Sequence, residues 1–147
     1  ENTSKLHAFY ERNSICKVAP VHYMSAQEAA FTKYGINTFL STKVLFWNQF
    51  YDLCNSVGAD YDTIRRAVGE DSRIGWSHMM VPGNDGKRGF SGACFPKDTA
   101  AMVRFAQEHN TPLTVLEEAV RQNMAYRSGT ELDEREKEQG VSFTVNI

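Results

Sequence analysis

Cysteine, strong net charge and long apolar runs are all scarce in this sequence, and each shortage excludes a class of protein. The three cysteines, Cys16, Cys54 and Cys94, are odd in number and far apart, which argues against a disulfide framework and against zinc-type pairing and favours the reducing cytoplasm. The net charge of −2 indicates no nucleic-acid footprint, and the two arginines of "DTIRRAV" do not make a basic face. No apolar run approaches membrane-spanning length, so we expect no membrane span.

The dominant feature that is present is one long helical segment. With 147 residues, of which 41% are apolar, the chain can bury a core of its own. Ser25 followed by Glu28 is a capping box and Gly58 is typical of the position after a helix, so residues 25–58 predict a helix of roughly 50 Å. Its apolar residues cover more than one face. We therefore expect a mainly α fold and a homodimer through this helix.

The N-terminal residues predict a different kind of structure. Residues 4–12 are typical of the end of a helix, and residues 15–24 of an edge strand, because the apolar run contains a proline. One helix and one strand cannot form an independent sheet. We therefore expect residues 1–24 to be the end of an α/β unit.

The rest of the sequence predicts shorter elements. Helices are expected over 61–68, capped by Asp60, over 96–109, and over 111–127. The inward positions of the last of these should be Val115, Leu116, Ala119 and Val120. The charged stretch 131–139 is most simply a solvated face. The alternation in "VSFTVNI", residues 141–147, predicts a strand.

The stretch "GFSGACFPKD", residues 89–98, carries the clearest chemical signal. Pro96 should occupy the first turn of a helix, with Phe95 at the N-cap. The free N–H groups and the positive dipole end would lower the pKa of the Cys94 thiol just before them. The alternative is a small buried cysteine. Asp98, one turn on, is suited either to accepting a proton or orienting water, or to complementing the helix dipole.

Two further patterns have both a functional and a structural interpretation. Lys33 and Asn37 share a face of the long helix and would suit oxyanion stabilisation, or they are a solvent-exposed pair. The irregular residues 70–93 contain glycines at 83, 86 and 89 without forming GxGxxG. Cations in this region, namely Arg73, Lys87 and Arg88, would suit a phosphate, or the loop is merely solvated. His78 has no second ligand at metal spacing, so we expect no metal and assign it a structural or substrate-contacting role.

Four segments together resemble the UDP-glucose/GDP-mannose 6-dehydrogenase family. They are "EAAFTKYGINTFLSTKVLFWNQ", "SRIG", "VPGNDGKRGF" and "GACFPKDT", and the resemblance covers roughly residues 4–127 in order. It implies that residues 1–24 are the C-terminal remnant of an NAD-binding Rossmann domain. Residues 25–127 would then be the central helical dimerisation domain with the catalytic cysteine, and residues 128–147 a charged tail.

The resemblance also implies an activity. Enzymes of this family oxidise the C6 alcohol of a nucleotide sugar to a carboxylate with two NAD. Cys94 would form a thiohemiacetal and then a thioester, which water hydrolyses. By this resemblance Lys33 would steady the oxyanion, with Asn37 beside it, and Asp98 would support proton transfer or the hydrolytic water. Arg73 would reach the substrate of a neighbouring subunit, and Lys97 would touch NAD. The loop residues Gly83, Lys87, Gly89 and Phe90 would contact the nucleotide sugar, and we place His78 with them as a candidate substrate contact.

Departures from the family pattern qualify this expectation. Ser91 replaces a glycine usual in the family and places a Cβ near the ligand. The GxGxxG fold, the NPEFL-type segment with its glutamate, and the C-terminal domain do not occur in the sequence, so we expect no dehydrogenase activity from this chain alone. The alternative is a non-catalytic helical dimerisation module. UDP-glucose, GDP-mannose and UDP-N-acetylmannosamine all suit the pattern.

Overall fold

The computed structural model describes residues 2–15 and 20–143, and within them the regular structure is entirely helical. The expected mainly α class is therefore confirmed. The helices are α1 (Asn2–Asn13), α2 (Ala26–Ser56), α3 (Tyr61–Gly69), α4 (Phe95–Glu108), α5 (Thr114–Arg127) and α6 (Glu134–Glu138). The chain divides into two compact units, Glu1–Thr32 and Lys33–Ile147. No helix among the described residues is long and apolar enough to cross a membrane.

The first unit contains α1 and the start of α2. The predicted capping box is confirmed: the Ser25 N–H and hydroxyl both donate to Glu28 Oε2 at 2.7 Å, and the Glu28 N–H donates to Ser25 Oγ at 3.2 Å. The helix predicted over 4–12 is also confirmed as α1. Of the strand predicted over 15–24, residues 20–24 are not a strand, and 16–19 lie outside the described residues.

The core of the second unit is assembled around α2. Trp47 and Cys54 of α2 pack with Tyr61 of α3 and with Met79 of the following loop. The Tyr61 hydroxyl donates to the Met79 carbonyl oxygen at 2.6 Å, so the loop is fixed by a buried polar contact as well as by apolar packing. A second cluster joins α2, the loop before α4, and α5. The long helix therefore packs against α3, the loop before α4, and α5.

Three sequence predictions about the second unit need correction at the level of single residues. Helix α4 begins at Phe95, so Cys94 rather than Phe95 is the N-cap. Helix α5 begins at Thr114, and Val115 is largely exposed while Leu116 and Ala119 are buried. The prediction that Val115 points inward is wrong. This residue lies about 100° round the helix from Leu116 and therefore outside the buried face.

The tail also differs from its prediction. The stretch 131–139 was expected to be solvated, but it contains α6, whose Glu136 is buried. Residues 141–143 are not a strand, although Val141 and Phe143 are buried. The remainder of the strand predicted over 141–147 lies outside the described residues. The alternation therefore marked burial, without a neighbouring strand to pair with in the described part of the tail.

Candidate active site

A buried carboxylate in the first turn of α4 organises the site. Asp98 is 0% exposed, and its two oxygens receive three donors from side chains. The Lys33 Nζ lies 2.6 Å from Oδ2 and the Asn37 Nδ2 donates to the same oxygen at 2.6 Å. The Lys97 Nζ lies 2.7 Å from Oδ1. The structure thus brings the Lys33–Asn37 pair of α2 together with Lys97 and Asp98 of α4.

The charges of this cluster do not cancel. Burial by itself would raise the pKa of Asp98, but hydrogen bonds from Lys33, Lys97 and Asn37 and the charge of Lys97 outweigh it and hold that pKa below its usual range. The bond to Asp98 raises the pKa of Lys97. The cluster therefore carries one fixed negative charge and two ammonium groups. Each ammonium has three donors, so donors remain beyond those used on Asp98.

Cys94 stands at the edge of this cluster with an exposed side chain. It is the N-cap of α4 and makes no side-chain capping bond, while its carbonyl oxygen accepts the Asp98 N–H at 2.9 Å. Lys97 follows three positions later in the first turn of α4, so the two residues are neighbours on the helix surface. Cys54, by contrast, is buried in the core. Of these two thiols, Cys94 is the one placed to react with a ligand.

The glycine-rich loop before α4 is tied to the protein rather than solvated. The Gly83 N–H donates to the Lys87 carbonyl oxygen at 2.8 Å, and the Lys87 Nζ donates to the Glu131 carbonyl oxygen at 2.8 Å. Gly89 is buried with a φ of +73°. Phe90 packs in the second core cluster. Of these predicted substrate contacts, Gly89 and Phe90 are therefore inside the fold, and the amine of Lys87 is occupied by the tail.

Arg88 differs most clearly from its expected role as a phosphate ligand. Its guanidinium donates to Asn48 Oδ1 at 2.6 Å and to Asp52 Oδ2 at 2.8 Å. The same group lies 5.2 Å from the ring centre of Tyr51 and 4.6 Å from that of Tyr126. A planar cation held by a carboxylate, an amide and two aromatic faces is satisfied within the protein. Arg88 therefore joins α2, the loop and α5.

Among the described residues, no bond joins Arg73 or His78 to the Asp98 cluster. Arg73 is exposed and its guanidinium contacts Asp71 Oδ2 at 2.6 Å. The His78 ring lies 5.5 Å from that of Phe95, next to the start of α4. Loss of solvent contact and then the charge of Lys43 lower the pKa of His78.

The family departure at Ser91 has a local explanation. Its hydroxyl donates to Asp85 Oδ2 at 3.0 Å, and the same oxygen contacts Arg127 Nη1 at 2.7 Å. The extra side chain is thus bonded within the loop. Sequence analysis missed these partners because Asp85 and Arg127 are far apart in the chain and neither stands in a recognisable motif.

Comparison with known proteins identifies the family to which the chain is similar. Residues 27–125 match the model of the UDP-glucose/GDP-mannose dehydrogenase family, central domain. A UDP-glucose 6-dehydrogenase of Rhizobium meliloti is 39% identical over 105 residues, which are 71% of this chain and 23% of that protein. One of Pseudomonas aeruginosa is 37% identical over 116 residues, 79% of this chain and 24% of that protein.

A UDP-glucose 6-dehydrogenase of Bacillus subtilis is 37% identical over 109 residues, 74% of this chain and 23% of that protein. The matched region thus spans about a quarter of the length of these relatives. The matched range contains Lys33, Asn37, Cys94 and Asp98. This chain belongs to the UDP-glucose/GDP-mannose dehydrogenase family, and its residues 27–125 correspond to the central domain.

Proposed function

We propose that this chain is the central, cysteine-bearing part of a nucleotide-sugar 6-dehydrogenase that acts in the cytoplasm. The observation that carries the proposal is the exposed thiol of Cys94 at the start of α4, one turn from a buried carboxylate that holds two ammonium groups. Such an arrangement suits a nucleophile and a developing oxyanion at the same place. The relatives named UDP-glucose 6-dehydrogenase support a nucleotide sugar as substrate.

The proposed reaction requires NAD, which takes hydride from C6 when it is bound. The sequence contains no GxGxxG, so the residues here do not form the phosphate cradle of a dinucleotide site. The one residue of this chain that we place against the cofactor is Lys97, whose side chain is 42% exposed beside Asp98. The binding of NAD is therefore proposed for the whole enzyme.

Within this chain, the covalent step belongs to Cys94. Its thiolate sulfur forms a bond to the C6 aldehyde carbon, and the electron pair of the broken carbonyl π bond moves to the oxygen. Lys33, whose side chain is 51% exposed, places an ammonium near this oxyanion. The thioester formed after the second oxidation is cleaved by water, which restores the thiol and releases the carboxylate.

The role of Asp98 in this scheme follows from its charge. Its low pKa keeps it ionised at neutral pH, so it does not serve as a proton donor there. As an anion it holds Lys33 and Lys97 in place, and its hydrogen bond raises the pKa of Lys97. Asn37 completes the hydrogen bonding of the carboxylate. We propose that Asp98 and Asn37 act on the substrate through the lysines that they orient.

We also propose that the chain forms a homodimer through α2. Phe39, Phe46 and Leu53 follow one another at intervals of seven residues, and they are 69%, 55% and 56% exposed. Large apolar residues at this spacing form a stripe on one side of a helix, as in a helix–helix seam. A non-catalytic dimerisation module would use the same stripe, so the dimer alone does not separate the two functions.

Protection of Cys94 by substrate distinguishes the dehydrogenase from the non-catalytic dimerisation module. The rate of Cys94 alkylation should be measured by peptide mass spectrometry without and with UDP-glucose, GDP-mannose or UDP-N-acetylmannosamine. We expect one nucleotide sugar to slow the reaction, because it covers the thiol, whereas glucose alone leaves it unchanged. Calorimetric titration with the same ligand should then show binding. A dimer whose Cys94 no nucleotide sugar protects, and which gives no heat of binding, would support the non-catalytic module.

A further inference from the structure

The backbone that leads to Cys94 is held by side chains from α5 and α6. The Asn123 amide brackets Phe90, accepting from its N–H at 2.7 Å and donating to its carbonyl oxygen at 3.0 Å. Two residues later, the Gly92 N–H donates to Glu136 Oε1 at 2.8 Å. Glu136 therefore holds a backbone group only two residues from the thiol.

Glu136 is itself fixed in the structure. It is 4% exposed, and its second oxygen accepts the Asp133 N–H at 2.9 Å, while Asp133 accepts the Glu136 N–H at 2.7 Å. The capping box uses Oε2 and the Gly92 bond uses Oε1, so both carboxylate oxygens are engaged and the side chain is fixed. The residue also lies beyond residues 27–125, the range that matches the family model.

The bond matters because the segment it holds is otherwise easy to move. Gly92 has a φ of +82°, and glycine exchanges readily between such conformations and others. A hydrogen bond to a charged group contributes about 1.5–3 kcal/mol, and two residues of chain reach roughly 7 Å. Release of Gly92 would therefore allow the thiol to move away from Lys97, which lies three positions further along, in the first turn of α4.

We propose that Glu136 is a positioning residue for Cys94: by holding the Gly92 N–H, the tail helix keeps the thiol beside the ammonium of Lys97. This inference rests on the proposed role of Cys94 as the nucleophile. The contrary interpretation is that the carboxylate obstructs the site by occupying an amide donor. The two differ in sign, since obstruction predicts a more reactive Cys94 when Glu136 is removed.

The test compares two alkylating reagents on the 147-residue chain. Second-order rate constants of Cys94 with anionic iodoacetate and neutral iodoacetamide are measured for wild type, Glu136→Ala, Glu136→Gln and the control Glu138→Ala, which removes an exposed charge from the same helix. We expect the iodoacetate-to-iodoacetamide ratio to fall about threefold or more in Glu136→Ala. Glutamine keeps an acceptor for Gly92 and should restore part of the ratio, and the control should match wild type.

The direction of the change distinguishes positioning from simple loss of charge. Removal of a negative charge favours the anionic reagent, so a lower ratio indicates displacement of the thiol. Amide hydrogen exchange at Gly92 should accelerate about tenfold in Glu136→Ala. Cys54, buried in the core, should stay unreactive and thereby report that the variant is folded. If Glu136→Ala unfolds the chain, the same measurements on Glu136→Gln decide, and we expect its ratio to lie below that of wild type.

An unchanged or higher ratio in a folded Glu136 variant overturns the inference. A wild-type Cys94 that reacts no faster with either reagent than a cysteine in an unstructured peptide overturns the proposed function, and this inference falls with it. Failure of the inference is therefore seen in a Glu136 variant, and failure of the proposed function is seen in the wild type.

Discussion

At the scale of single residues, the account depends on Asp98 as a buried anion between two cations. Replacement by asparagine removes the charge but keeps the shape, so Lys33 and Lys97 lose their shared partner. Because both lysines are half exposed, water screens part of the loss, and we expect Asp98→Asn to lower the free energy of unfolding by about 2 kcal/mol. Urea denaturation measures this. Glu108→Gln, an exposed carboxylate of the same helix, should have little effect.

The same residue predicts a dependence on pH. The pKa of Asp98 is lower in the folded protein than in the unfolded chain, so the unfolded chain binds the proton more readily. Its stabilisation is present above the unfolded value of about 4 and is lost as the pH falls through the lower folded value. We expect the stability difference between wild type and Asp98→Asn to shrink below about pH 4. A difference that stays constant from pH 7 to pH 3 would contradict this.

Glycine at position 89 gives a second prediction at this scale. A Cβ there would collide with the Asn123 side-chain oxygen, and φ is +73°. Gly58 has a similar φ of +72° but open space around it. We expect Gly58→Ala to cost about 1 kcal/mol, for the backbone conformation alone, and Gly89→Ala about 3 kcal/mol, for conformation and collision together. Thermal or urea unfolding of the two variants, if it gave equal losses, would show that Asn123 can move aside.

At the scale of elements, prediction from sequence succeeded where the signals are local. The capping box of Ser25 and Glu28 and the Asp60 cap of α3 involve residues two or three positions apart, and both helices start there. The tail failed for the opposite reason. Glu136 is buried and accepts a hydrogen bond from Gly92, 44 residues away. Nothing in a run of charged residues indicates such a partner.

The candidate site shows the same division. Cys94 and Asp98 lie one turn apart, so their proximity followed from the helix predicted at Pro96. The contact of Lys33 with Asp98, 65 residues away, was not predicted. The family resemblance assigned both residues to the site, but neither it nor the spacing paired them. The partners of Arg88, Asn48 and Asp52, belong to a different helix. Because the sequence does not reveal them, it left Arg88 open between a phosphate ligand and a residue of a solvated loop.

At the scale of the whole molecule, the exposed apolar stripe of α2 predicts self-association. Glutamate at Phe39 or Phe46 would place a charge in the seam, and we expect the dimer dissociation constant to rise at least about tenfold, since burying an unpaired charge costs more than 1.4 kcal/mol. Sedimentation equilibrium measures it. Met80→Glu adds the same charge at an exposed apolar residue outside α2 and should leave association unchanged. If Phe39→Glu and Phe46→Glu raised the dissociation constant no more than Met80→Glu does, the interface would lie elsewhere.

The most direct test of the account concerns the electrostatic environment of Cys94. The ratio of its alkylation rates with iodoacetate and iodoacetamide should be measured in wild type, Lys33→Met and Lys97→Met, against a cysteine in an unstructured peptide. We predict a wild-type ratio about fivefold above that of the peptide, because the ammonium groups attract the anionic reagent, and a lower ratio in Lys97→Met and in Lys33→Met. A wild-type ratio equal to that of the peptide, unchanged by either substitution, would contradict the proposal that the Asp98 cluster serves this thiol.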